Sequence, residues 1–332
     1  MKKLKVSVLI PTKNRAGSLK KALDSLSKQR LKSFEVVVID GGSTDNTEVL
    51  VKSYAKKFPV KFAVQSGGLI PQMNKAWKLA KGEIVVRSDD DVVVDRGWLQ
   101  AIVETFDSDS QIGGVTGPTI IPLKHKKSRD LFFFQTKLKK GNIFWRLLGK
   151  IYYGYFMEGE PMRVSHWFKS GAFSLGNNYK SSLKIKKNFE VNNLEACNWS
   201  VRRRLLEEIS GFDPTFVGIG EYHEPDASFR IMKLGYKLVF NPKAIVSHQP
   251  SLVGFFKDRP ASYGRAQNFI NFYFRHIKPD TLDKALRFTA YLLFLNLFWG
   301  YKFFQTKKID QLGCFLATPV TLVKNILVRN KS

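Results

Sequence analysis

Cysteine is scarce in this chain: Cys197 and Cys314 are the only two among 332 residues. They lie far apart and match no zinc or redox spacing, which excludes a disulfide-stapled secreted scaffold and makes a reduced, intracellular protein the default. Long apolar runs are missing too. Phe288–Tyr301 is uncharged but carries Thr289 and Asn296, and Gln311–Val323 is broken by Gly313 and Pro319. Both fall short of the ~20 apolar residues that a spanning helix needs. The apolar stretch after Met1-Lys2-Lys3-Leu4-Lys5 stops at Pro11, too soon for a secretory signal. No GxGxxG follows the first predicted strand and no GxxxxGK[ST] occurs, so neither glycine-rich phosphate cradle is present. Acidic residues are few, 28 against 54 Lys and Arg, and the net charge is +26.

That excess is uneven. Residues 124–190 hold 15 basic and 4 acidic residues, and residues 255–332 hold 13 and 4. Such charge calls for an anionic partner: nucleic acid, lipid headgroups or a phosphorylated substrate. Within the first basic segment, Leu131–Phe156 interleaves aromatics with Lys and Arg, a composition suited to a helix lying in a membrane interface; a subdomain covering the active site is the alternative. The two uncharged tail runs, after Phe255-Phe256-Lys257-Asp258-Arg259-Pro260, read as re-entrant or interfacial helices, or as helices packed on the rest of the chain. An anionic membrane surface is therefore the expected partner, at the cytoplasmic face of the cell membrane. Nucleic acid is not expected, because no recognised RNA- or DNA-binding module occurs.

Against this background one acidic stretch stands out. Ile84-Val85-Val86-Arg87 runs directly into Ser88-Asp89-Asp90-Asp91. Three adjacent carboxylates at a strand end repel one another unless a cation sits among them, and hard oxygen ligands suit Mg²⁺ or Mn²⁺.

The order of elements sets the frame. Apolar runs at Val6–Ile10, Phe34–Ile39, Val60–Val64 and Ile84–Ser88 read as strands, and Gly114–Ile120 as extended. Leu19, Ala22, Leu23 and Leu26 mark a helix that Ser18 could cap. Further helices are expected near Val49–Tyr54, where Ser43 or Thr44 could cap, at Pro71–Ala80 and at Trp98–Phe106. Alternating strands and helices predict an α/β, doubly wound, mostly parallel sheet flanked by helices. Ligands of such sheets sit beyond the carboxyl ends of the strands. Pro11, Thr12, Asp40 and Asp89–Asp91 all fall there.

These motifs resemble family 2 glycosyltransferases. The resemblance rests on residues 6–15 (VSVLIPTKNR), 36–47 (VVVIDGGSTDNT) and 88–91 followed by Trp98-Leu99. It continues in Ala196–Arg203 and closes with Gly220–Arg230, Gly235-Tyr236 and Val246-Ser247-His248, covering roughly residues 6–250. It implies the GT-A fold, a nucleotide-sugar donor (UDP-, GDP- or dTDP-linked) and inversion at the anomeric carbon. It also implies residue roles. Asp40 contacts the base, and Pro11, Thr12, Arg15, Asn74, Asp89 and Asp90 complete the nucleotide site. Asp91, with Asp89 and His248, holds the metal. Glu224 is the general base, with His223 or Glu221 as substitutes. Asn198, Trp199 and Asp226 face the acceptor, a glycan or lipid-linked molecule, with core filling open for Trp199 and a helix-dipole complement for Asp226. Met73 and Ala76 depart from the family's Arg and Gly beside Asn74, leaving Arg15 or Lys75 to supply a cation to the diphosphate.

The residues themselves support the placement of Glu224. Pro225 suits a first helical turn, Ala227, Ile231 and Leu234 form a stripe, and Gly235 ends the helix. A carboxylate at a helix N-terminus is favoured in its ionised form. Residues 1–250 are thus expected to form a catalytic domain with 124–190 inserted on its acceptor or membrane side, and 251–332 a helical basic and apolar tail. Two alternatives stay open: a sugar-phosphate nucleotidyltransferase, whose Gly-rich, Arg-bearing N-terminal loop is missing here, and a non-catalytic basic membrane- or nucleic-acid-binding protein.

Overall fold

The computed structural model describes residues 4–122, 136–250 and 262–329. The beginning of the aromatic and basic stretch (131–135) and the segment Phe255–Pro260 lie outside the described residues.

The strand β1 (Val6–Thr12) is buried along its whole length and pairs in parallel with β2 (Phe34–Asp40) on one side and β4 (Ile84–Arg87) on the other. Its β-branched, nearly continuous apolar sequence suits a strand covered on both faces. Val6, Val8 and Ile10 face one core with Leu19, Leu23, Trp98 and Ile102, while Leu9 faces a second core with Ile70, Met73 and Trp199. Each such side chain contributes roughly 1.5–3 kcal/mol when fully buried. Strand β3 (Val60–Val64) extends the parallel set beyond β2.

The far half of the sheet departs from the mostly parallel expectation. With β6 (Ile112–Thr116), β8 (Phe189–Val191), β9 (Trp199–Arg202) and β10 (Lys237–Phe240), the full order is β3-β2-β1-β4-β9-β6-β10-β8. Strand β9 runs antiparallel between β4 and β6, and β8 runs antiparallel to the edge of β10. An antiparallel neighbour requires no crossover helix. The chain enters β9 at the carboxyl end of β4, Trp199 opposite Arg87. A small second sheet sets β11 (Val246–His248) between β5 (Val92–Val94) and β7 (Thr119–Ile120), with His248 opposite Val92.

Helix boundaries differ in instructive ways. Helix α1 (Ala16–Ser27) begins before Ser18, and the Asp45 carboxylate accepts from the Ala16 amide at 3.1 Å. The same carboxylate accepts from Thr47 N at 3.2 Å and starts α2 (Thr47–Ser53), so Asp45, not Ser18, Ser43 or Thr44, opens both helices. A long-range cap of this kind carries no local spacing. Helix α3 (Leu69–Leu79) holds Pro71 in its first turn, where a missing N–H leaves nothing unsatisfied. Helix α4 (Trp98–Ser108) lies as expected.

A third core joins segments distant in sequence. Helix α5 (Ile143–Lys150) continues into a π-helical turn at Ile151–Phe156, whose Tyr152 and Phe156 pack with Phe269, Tyr273, Phe288, Tyr291 and Phe294. After α6 (Arg203–Glu208) and α7 (His223–Lys233), those partners come from α8 (Ser262–Phe272), the turn that follows it, and α9 (Leu282–Thr306). Helix α10 (Gly313–Arg329) packs on α8 and α9. Among the described residues no helix is long and apolar enough to cross a membrane.

Candidate active site

The carboxyl ends of β1, β2 and β4 meet at one place. Thr12 and Asp40 are register partners, and Gly41 N donates to Thr12 O at 2.8 Å. The Asp40 carboxylate is buried and accepts from Ser43 N at 2.8 Å and from the Ser43 hydroxyl. Asn14, at φ +52°, accepts from Thr44 N at 2.7 Å and ties the two loops together. The position of Gly41 lies close against the Gln72 amide: a Cβ there would be 2.6 Å from Gln72 Nε2.

Arg15 and Arg87 neutralise the acidic turn after β4 from opposite sides. Asp90 is buried; it accepts from Thr12 Oγ1 and pairs with Arg15, both at 2.8 Å. Arg15 also pairs with Asp91 at 2.5 Å. Burial, with Asp91 and Asp89 close by, pushes the Asp90 carboxyl up to about 7 against the pull of Arg15 and Thr12. Burial acts the same way on Asp91, but His248 and Arg15 outweigh it and hold that carboxyl well below the usual range.

Arg87 carries the acidic turn to α7. One terminal nitrogen lies 3.0 Å from Asp89 Oδ1, and the other pairs with Glu224 Oε1 and donates to Ala196 O at 2.6 Å. Glu224 stands in the first turn of α7 behind Tyr222, whose backbone is left-handed at φ +77°. Its second oxygen lies 3.0 Å from Nδ1 of the buried His223, and burial lowers the pKa of that imidazole. Four carboxyl groups (Asp89, Asp90, Asp91 and Glu224) thus share two guanidinium groups. The remaining negative charge suits a divalent cation.

The ligands for such a cation are close at hand. A carboxylate oxygen of Asp89, Cys197 Sγ and an imidazole nitrogen of His248 lie within 4.8 Å of one another, and His248 Nε2 is 3.2 Å from Asp91 Oδ1. The carboxylates of Asp89 and Asp91 with the His248 imidazole are donors that suit Mg²⁺ or Mn²⁺, whereas the Cys197 sulfur is a soft donor of the kind that suits Zn²⁺. Burial, with Asp89 and Glu195 nearby, pushes the Cys197 thiol well up and keeps it protonated while no metal binds.

Four expected site residues are engaged elsewhere. Asn74 forms a two-way backbone clasp with Phe212 (2.8 and 2.9 Å) and accepts from Trp77, so its amide does not face a diphosphate. Asn198 is fully buried between Trp98 Nε1 and Ala244 O. Trp199 is fully buried and donates to Ser228 Oγ at 2.9 Å; Ser228 in turn donates to the Glu224 carbonyl. Asp226 is buried 2.8 Å from both Arg230 and His276. These three are buried in packed interiors: Asn198 in the turn before β9, Trp199 at the start of β9 and Asp226 in the first turn of α7. Met73 is core, Glu221 pairs with Arg265, and Lys75 Nζ donates to Val64 O, so of the two expected cations Arg15 is the one beside the turn, where Arg87 joins it. Arg87 and Cys197 were absent from the expected set. An arginine closing an otherwise apolar strand was the available sign for the first; nothing local marked the second.

The chain is similar to known proteins across most of its length. The profile described as glycosyl transferase family 2 matches residues 7–210. The Staphylococcus aureus poly(ribitol-phosphate) β-N-acetylglucosaminyltransferase TarS is 25% identical over 282 residues, 80% of this chain and 46% of that protein. Validoxylamine A glucosyltransferase of Streptomyces hygroscopicus is 34% identical over 103 residues, 30% of this chain and 24% of that protein. The chain therefore spans less than half the length of these curated relatives. Among solved structures, residues 1–349 of TarS in complex with UDP-GlcNAc superpose with a TM-score of 0.58 at 17% identity, covering 95% of this chain and 79% of that one. The mannosyltransferase PcManGT of Pyrobaculum calidifontis, in complex with GDP-Man and Mn²⁺, gives 0.55 at 19% identity, covering 97% and 87%. At these identities the structures show a shared α/β fold with a mixed central sheet.

Proposed function

The chain belongs to glycosyltransferase family 2, and on that premise we propose that it transfers a sugar, with inversion, from a nucleoside-diphosphate donor to an acceptor hydroxyl. The observation that carries this reading is the Arg87 bridge, which holds Asp89 of the acidic turn and Glu224 of α7 on one guanidinium.

Glu224 takes the proton of the acceptor hydroxyl. The acceptor oxygen then bonds to the anomeric carbon as the bond from that carbon to the diphosphate oxygen breaks, on the opposite face. Arg87 and His223 each hold one oxygen of Glu224, so the carboxylate is oriented before substrate arrives. Thr12, Asp40 and Arg15 supply the nucleotide side: Asp40 accepts from the base, and Arg15 lies where it can pair with the diphosphate. Asp89, Asp91 and His248 are the residues to hold Mg²⁺ or Mn²⁺, which when bound offsets the charge developing on the leaving diphosphate.

A base is needed for a hydroxyl acceptor and not for an ionised phosphate, so Glu224 favours a hydroxyl. The name of the Staphylococcus relative supports a hydroxyl of a glycan or polyol polymer, and a lipid-linked glycan offers the same chemistry. The nucleotides bound to the structural neighbours include both GDP and UDP sugars, so the base is assigned by titration. Calorimetry of UDP, GDP and dTDP, each with and without Mn²⁺, is expected to show one nucleotide binding in a metal-dependent way. With the matching labelled donor, Glu224→Gln is expected to lower transfer about 10²–10⁴-fold while leaving nucleotide affinity intact. Absence of nucleotide binding under every condition, or full transfer by Glu224→Gln, would reject the reading.

A further inference from the structure

Three helices present one apolar face that no described part of the chain covers. On α9, Leu293, Leu297 and Phe304 fall within about 40° of one another at 100° per residue, and Leu297 and Phe304 are each 71% exposed. Neighbouring helices flank this stripe on both sides. Asn296 donates to Thr318 of α10 at 3.2 Å, and the position of Gly300 lies against the Phe315 ring. On the opposite side the Tyr301 ring meets Trp145 of α5 at 5.2 Å. The exposed Leu316 and Val320 of α10 and Phe144 of α5 therefore extend the stripe sideways into a continuous face. Monomeric proteins rarely leave so many large apolar side chains together in water.

Charge selects what covers it. Residues 136–157 and 313–329 contain no Asp or Glu, and the long helix α9 contains only Asp283. Lys137 lies over the Trp145 and Tyr301 rings and Lys307 over the Phe304 ring, and Arg146, Lys150 and Lys324 sit on the same helices α5 and α10. A second copy would set the same basic rim against itself and bring another +26 charges, within the ~8 Å over which salt leaves repulsion intact. Lysine stems beside an apolar face, with Trp and Tyr rings at its edge, suit a helix layer lying in a lipid interface.

We propose that the face formed by α5, α9 and α10 is a monotopic docking surface for an anionic phospholipid bilayer. The layer inserts its aliphatic and aromatic side chains below the headgroups while the lysines pair with lipid phosphates. It packs on α8 and the turn after it, and these in turn contact the helix that carries Glu224: Phe229 of α7 meets Phe272 and His276, and Asp226 pairs with His276. Docking therefore holds the candidate active site close to the membrane surface. The inference does not depend on the transfer chemistry.

Flotation of the full chain with vesicles tests it. Wild-type protein is expected to float with mixed phosphatidylcholine and phosphatidylglycerol vesicles and weakly or not at all with phosphatidylcholine alone. Leu297→Gln and Leu316→Gln remove exposed side chains, so folding is retained and checked by circular dichroism; each is expected to reduce partition about tenfold. Lys307→Gln with Lys324→Gln is expected to reduce partition to the anionic vesicles about tenfold or more, at roughly 1 kcal/mol per lysine. Failure of the wild type to float with anionic vesicles, or undiminished flotation of both leucine variants, overturns the proposal. So does a stable dimer by light scattering that the leucine variants dissociate, since the face would then belong to a second copy.

Discussion

Arg87 and Glu224 form an ion pair in the interior, each side chain no more than 7% exposed, and so join the end of a central strand to the first turn of a helix more than a hundred residues later. The same guanidinium reaches Asp89, so the acidic turn and the candidate base share one anchor.

Arg87→Met is expected to lower stability by about 3 kcal/mol in urea denaturation, because it leaves Glu224 buried without its charge partner. Combining it with Glu224→Gln is expected to recover much of that loss while sugar transfer stays abolished. A double variant no more stable than Arg87→Met would show that the pair does not hold the two elements together.

Asp91→Ala should abolish the Mn²⁺-dependent part of nucleotide binding and leave the metal-free part within about twofold, since Asp40, Thr12 and Arg15 remain; the metal increment amounts to a few kcal/mol of binding free energy. Asp40→Ala should do the reverse, weakening the nucleotide about tenfold with and without metal, at about the 1.4 kcal/mol of a single hydrogen bond to a charged group. Paired calorimetric titrations separate the two effects; equal behaviour of the variants would contradict the division of labour.

Trp199→Phe is expected to act on stability, not on acceptor KM. It loses the indole hydrogen bond to Ser228 in a packed core, an effect of about 1 kcal/mol plus a packing defect of similar size. An increase in acceptor KM at unchanged thermal stability would place Trp199 at the acceptor after all.

His166 gives a pH signature. Burial beside Arg163 depresses its imidazole from 6.5 to about 4. A depressed folded pKa means that the unfolded chain binds the extra proton first. The stabilising contribution is therefore complete above about 6.5 and disappears as pH falls toward about 4. The half-exposed ring is screened by solvent, so the loss is on the order of 1 kcal/mol. Stability measured across this window should fall less steeply for His166→Gln than for the wild type; identical slopes would remove His166 as the source.

Local sequence suffices where one element decides the outcome. Strand β3 begins and ends at the expected residues, and β1, β2 and β4 differ only at their ends, because β-branched runs between turn residues need no distant partner to be recognised. Asp89–Asp91 and Glu224 were legible from residue type and from their positions beside a strand end and a helix start. The cap that Asp45 sets on α1 and the clasp of Asn74 on Phe212 were not, since each depends on a segment that folding brings from elsewhere. The burial of Asn198, Trp199 and Asp226 was not legible for the same reason: polarity and ring size are compatible with a sugar surface or with a satisfied core, and only the packing distinguishes them.

The chemistry available to this protein was thus written in its linear order: which strands end in carboxylates, where a helix begins on an acid, and how much positive charge gathers in two segments. Tertiary structure alone decided which of these groups meet. A guanidinium in a dry interior pairs with whatever carboxylates the fold delivers, and β11, inserted between β5 and β7, sets His248 against Asp91. Such encounters join residues with no sequence relation to one another, since burial of a charge requires a partner but does not specify where along the chain that partner lies.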